Sequence, residues 1–159
     1  MSDYKKCITD RDSFYFFFEA IKNTHPNSIL DIGMFLKRIG ALSRGILSYS
    51  IPEDILLDGV DCMPEVEVPI YHSIYNSICS LEDFLTQKKR PDISYDMISF
   101  LFLEPICSKE QIENLCKWIM GHCTYAICEP NPAILHYFSS YQNVFTITLN
   151  QSAFYIVQF

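Results

Sequence analysis

Two strand-like runs close the chain, VFTITLN at residues 144–150 and AFYIVQF at residues 153–159, and only Gln151 and Ser152 lie between them. A connection that short can join only antiparallel neighbours, so the two runs should form a hairpin. Upstream, strand-like and helix-like segments alternate instead. That alternation implies a parallel sheet with helices on both faces, and the right-handedness of crossovers restricts its topology. A sheet of this kind must therefore accept one antiparallel strand at its end.

The upstream elements read as follows. Residues 10–23 begin at an Asp cap, Asp10 or Asp12, and set Phe14, Phe17, Phe18 and Ile21 on one helical face. Pro26 ends that helix and disfavours helical geometry at His25. Ser28–Ile32 is a first buried strand, and residues 55–61 (ILLDGVD) are a second. Between them, Phe35, Ile39, Leu42 and Ile46 recur at helical spacing. Residues 74–79 are a third strand, and SLEDFLTQ is a helical turn capped by Ser80. Met97–Leu103 is the longest apolar run and suits a central strand buried on both faces.

The next helix has the clearest signature. Ser108 and Gln111 form a capping box, Ile112, Leu115, Cys116 and Ile119 form the apolar stripe, and Gly121 follows as a C-terminal stop. TYAICEP is a fifth strand, and Asn131-Pro132 starts a helix running to about Ser140.

Composition bounds what such a fold can do. With 159 residues, 49% hydrophobic and 19% charged, the chain can bury a sizeable core as one domain, 1–159, in which 1–26 are a helix and lead-in. Nineteen acids against twelve Lys and Arg give a formal charge of −7, which disfavours a phosphate backbone as partner. The short cluster Lys88-Lys89-Arg90 does not reverse that. No segment approaches the roughly 18–20 apolar residues of a membrane span, and SFYFFFEAIKN is broken by Glu19, so no signal peptide and no membrane are expected. Seven scattered cysteines, several within apolar runs, read as reduced, buried thiols of a cytoplasmic protein.

The segment NSILDIGMFLKRIGALSRG, residues 27–45, carries a resemblance. With the order of elements around it, it resembles the class I S-adenosylmethionine-dependent methyltransferase domain, and the likeness spans nearly the whole chain. It implies a mostly parallel, seven-stranded Rossmann-like α/β sheet with helices on both faces and a C-terminal antiparallel β-hairpin. It also implies S-adenosylmethionine as cofactor. In the family an acid and a glycine-rich loop end the first strand and wrap the methionine part of the cofactor. Asp31, Gly33 and Met34 fall there, while Phe35 and Lys37 stand where further glycines are usual, and Phe35 and Leu36 should crowd the cofactor or redirect the loop.

Asp61, with Cys62 after it, matches the acid that binds the ribose hydroxyls, a role suited to a carboxylate because it accepts two hydrogen bonds at once. Ser80 stands where an adenine-binding aspartate is common, which leaves Glu82 or Asp83 as substitutes. Glu104, in LEP after the fourth strand, falls near the reacting end and is the one catalytic candidate. The implied activity is methyl transfer to a small molecule or protein nucleophile. The alternative is a catalytically degenerate member that binds or scaffolds.

Simpler readings stand beside these. Asp31 and Asp61 would serve equally as helix caps or loop anchors, and Glu82, Asp83 and Glu104 as solvated carboxylates. Cys107, Cys116, His122, Cys123 and Cys128 invite a zinc site, but no C-x-x-C pair occurs, so no metal is expected. A Cys-His hydrolase lacks a preferred pair, and a flavodoxin-like module would need the two final runs not to share the sheet. Tyr15 and Phe16 fall off the first helix's stripe and could form a homodimer surface.

Overall fold

The computed structural model describes residues 20–32, 54–61, 76–86, 92–100, 107–128, 130–149 and 152–159. Its strands are β1 (Ser28–Ile32), β2 (Leu56–Asp61), β3 (Ser77–Ser80), β4 (Tyr95–Ser99), β5 (Cys123–Cys128), β6 (Asn143–Leu149) and β7 (Ser152–Gln158). They form one seven-stranded sheet in the order β3-β2-β1-β4-β5-β7-β6. The pairs β1·β2, β1·β4, β2·β3 and β4·β5 are parallel, and β7 is antiparallel to both neighbours. The final hairpin thus enters the same sheet, which removes the flavodoxin-like alternative.

Three described helices pack on one face: α1 (Leu81–Leu85), α2 (Lys109–Met120) and α3 (Pro132–Tyr137). Leu30, Ile32, Val60, Ile98, Ala126 and Val157 of the sheet meet Phe84, Ile112, Leu115, Cys116, Ile119 and Ile134 in one buried cluster. The edge-on contact of Phe84 and Trp118, 5.0 Å between centroids, ties α1 to α2. Strand residues alternate faces, so Met97 lies on the opposite side from Ile98. There it meets the helical residues 20–24, with the Thr24 hydroxyl 3.9 Å from its sulfur.

The capping box of α2 forms as expected: Ser108 Oγ accepts from Gln111 N–H at 3.2 Å, and Gln111 Oε1 accepts from Ser108 N–H at 2.8 Å. Ser80 and Asn131 cap α1 and α3.

Of the boundaries that differ from the sequence reading, three have a visible local reason. The third strand begins at Ser77, because Asn76 brackets Leu57, giving its N–H to Leu57 O and taking Leu57 N–H on its side-chain oxygen. The fourth strand is Tyr95–Ser99 rather than starting at Met97. Tyr95 N–H bonds to His122 O and Asp96 N–H to Ser28 Oγ, so two polar residues join ahead of the apolar run. The last helix stops at Tyr137, where Phe138 turns extended and sets its ring edge-on to Phe100 and Phe159. The expected start of the first helix, the helix through Phe35–Ile46 and the end of the Met97–Leu103 run lie outside the described residues.

Gly121 caps α2 as expected, but without a special backbone conformation. Gly121 has φ −87° and ψ −4°, right-handed values open to any residue, and an added Cβ would meet only Trp118 O at 3.7 Å. The left-handed residue is His25, at φ 47°, whose N–H bonds to Ile21 O. Pro26 keeps it out of the helical region. Gly121→Ala should therefore stabilise the protein by about 0.4–1 kcal/mol, and His25→Gly should also stabilise it by relieving a left-handed cost of about 1–2 kcal/mol. Thermal melts of both variants check this, and a lowered midpoint for Gly121→Ala would show that the helix end needs a glycine.

Candidate functional site

Sheet order places a reversal at β1, since the chain moves outward through β2 and β3 and then returns to lay β4 on the other side. Ligands in open α/β sheets bind beyond the carboxyl ends of the strands at such a point. The residues there are Asp31, buried at 2% exposure, and its register partner Ser99 on β4, at 0%. On the other side Asp31 faces Gly59 of β2, which has no side chain. Ser99 Oγ has no hydrogen-bond partner among the described residues. Two buried polar residues therefore stand side by side at the switch point.

Asp61 closes β2 two residues beyond Gly59, in register with Ser80 at the end of β3. Immediately after, Glu82 is exposed and Asp83 half-buried in the first turn of α1, where Asp83 N–H donates to Ser80 Oγ at 3.0 Å. The fold thus gathers Asp31, Asp61, Glu82 and Asp83 at the carboxyl edge of three adjacent strands. Gly33, Met34, Cys62 and Glu104 lie outside the described residues.

A second polar centre went unread in the sequence. Asp58, 8% exposed, accepts from Tyr95 Oη at 2.8 Å and from Ser77 Oγ at 2.9 Å. These bonds link β2, β3 and β4 on the amino side of Asp61. Both carboxylate oxygens are satisfied, so the group serves as a brace. The only signal for it was an acid in the middle of the apolar run ILLDGVD.

The other reactive groups among the described residues are not arranged for chemistry. Cys107, Cys116, Cys123 and Cys128 are buried or half-buried cysteines outside any disulfide. Burial raises the pKa of the first three, that of Cys116 to about 12, so none is a ready thiolate nucleophile. Among the described residues no three His, Cys, Asp or Glu side chains stand together as a metal site. His122 stacks on Trp118 at 4.3 Å and holds Trp118 O at 2.7 Å through Nδ1, which occupies it at the end of α2.

Comparison with known proteins places the fold. No protein-family model and no curated protein matches the sequence. Solved structures do. The O-methyltransferase TomG from Streptomyces achromogenes, in complex with S-adenosylmethionine, aligns with a TM-score of 0.62 at 13% identity, over 99% of this chain and 89% of that one. An O-methyltransferase from Bacillus cereus, in complex with S-adenosylhomocysteine, gives 0.62 at 11% identity over 99% and 91%. The methyltransferase domain of bacterial CtHen1 gives 0.66 at 10% over 94% and 99%. The chain has the class I S-adenosylmethionine-dependent methyltransferase fold.

The Asp58 brace has a pH signature. Burial first, and then the hydrogen bond to Asp58, raise the Tyr95 pKa well above its ordinary 10.0. The folded state therefore holds the phenol proton more tightly than the unfolded chain. Its contribution to stability is full below pH 10 and falls as pH rises beyond that. Tyr95→Phe should cost about 1–3 kcal/mol at neutral pH and flatten the decline above pH 10. Urea titrations from pH 8 to 11 measure both, and an unchanged alkaline slope would remove Tyr95 as its source.

Proposed function

We propose that the chain binds S-adenosylmethionine at the carboxyl edge of β1, β2 and β3 and is a methyltransferase acting on a small-molecule or protein nucleophile. One observation supports this best: Asp31 sits in register with Ser99 at the switch point, and Asp61 ends the adjacent strand two residues beyond Asp31's other partner. The described residues fit the nucleoside half of that cofactor. Asp61 is an acceptor for a vicinal diol, and Glu82 and Asp83 follow β3 where hydrogen bonds to an adenine amino group are needed.

The methionine half falls to Asp31, Gly33 and Met34. When bound, the cofactor supplies an electrophilic methyl group on sulfur. The protein's share is mostly positioning, with a buried sheet edge holding donor and acceptor in line. Glu104 is the residue assigned to the reacting end. Buried, protonated thiols suit a reducing cytoplasm.

A second reading has its own support in the sequence. Phe35 and Lys37 replace glycines that let backbone approach a ligand, which favours a degenerate binding or scaffold protein. Calorimetric titration with S-adenosylmethionine and S-adenosylhomocysteine decides between them. The expected result is micromolar binding, weakened about tenfold or more by Asp61→Ala, as loss of a charge-assisted pair of bonds requires. Absence of heat and of any thermal shift at millimolar ligand would overturn the cofactor assignment.

A further inference from the structure

The sheet ends on β6, and no strand lies beyond it among the described residues. Its sequence, NVFTITL, contains no charged residue and no proline. Natural sheets guard long edges with just those features, because an open strand offers main-chain groups to any other strand. The edge also carries an exposed large apolar side chain, Phe145 at 49%, with Tyr141 at 45% just before the strand. The opposite edge, β3, has only four residues and runs straight into α1.

The ladder fixes which groups are on offer. Phe159 N–H donates to Thr124 O, so by antiparallel alternation Val157 and Tyr155 exchange main-chain bonds with β5, while Gln158, Ile156 and Phe154 exchange theirs with β6. Their partners Asn143, Phe145 and Ile147 turn inward. Val144, Thr146 and Thr148 therefore direct their N–H and C=O groups outward, past the sheet.

We propose that β6 pairs antiparallel with β6 of a second copy of this chain about a two-fold axis at Thr146. Only residues with outward groups can form hydrogen-bonded pairs, and this register matches them all: Thr146 with Thr146 of the second copy, and Val144 with Thr148 in each direction. The pairs between them bring Phe145 against Ile147 of the second copy, twice, so the most exposed apolar side chain of the strand gains an apolar partner. Charge favours the same meeting place. Each copy carries −7, and β6 is a seven-residue stretch that adds nothing to their repulsion. Isologous pairing also consumes both long edges, so assembly closes at two copies.

Sedimentation velocity on the full chain tests this at about 100 µM, a concentration that populates even a small interface. The expected mass is twice the 18.5 kDa of one chain. Thr146→Pro removes an N–H that β7 does not use and should yield a monomer with unchanged circular dichroism. Thr146→Lys and Thr146→Glu place like charges opposite each other across the axis, so each alone should weaken the dimer at least tenfold, and mixing the two should restore it as a heterodimer. A monomeric wild type, a mass that keeps growing beyond the dimer, a Lys variant that dimerises unimpaired, or a Lys and Glu mixture that stays monomeric would each overturn the proposal.

Discussion

The centre of the sheet depends on a reciprocal clasp at the amino ends of β1 and β4. Asp96 takes Asn27 N–H on its carboxylate at 2.6 Å, and Asp96 N–H goes to Ser28 Oγ at 2.9 Å. Those bonds close a long loop, and main-chain pairing follows from them in one register: Ile29 with Met97, Leu30 with Ile98 and Asp31 with Ser99. A slip of one residue would turn the buried set of each strand to the wrong face. It would also separate the two polar residues at the switch point, so the clasp fixes the candidate site as well as the core.

Two buried carboxylates on adjacent strands then serve different ends. Asp58 is satisfied by Ser77 of the adjacent β3 and by Tyr95 of β4, across β1, and it braces the sheet through one exposed hydroxyl and one buried phenol. Asp31 stands at the reversal of strand order, next to a glycine on one side and a serine on the other. Residue type is the same in both. Position relative to the carboxyl edge is what separates a structural acid from a candidate functional one, and methyltransferase folds with cofactor bound share this sheet at about one-tenth sequence identity.

The antiparallel insertion of β7 shapes both ends of the molecule. By entering between β5 and β6 it buries Ile156 and Val157 and leaves β6 as the outermost strand. A parallel sheet capped in this way acquires a hairpin edge, with alternate residues free to pair. Closing the fold and exposing an edge are thus one topological event.

Much of this was legible in the sequence because the determinants are local. The two-residue connection compels a hairpin, Ser108 with Gln111 writes a helix start, and alternating segments imply parallel crossovers. The resemblance to the methyltransferase domain singles out Asp31 and Asp61, on strands that the pattern places, while leaving the role of each open. Tertiary structure decided what depends on residues far apart in the chain. Tyr95 and Asp96 joined β4 only because His122 and Ser28 accept their N–H groups, Asp58 became a brace only when Tyr95 reached it, and Ser99 came beside Asp31 only through the register that Asp96 sets. Gly121 stops α2 where the sequence put it yet needs no special geometry there, while His25, ahead of Pro26, adopts the left-handed turn. Sequence patterns specify which segments form strands and helices, and hydrogen bonds between distant segments decide their bounds and which acids meet.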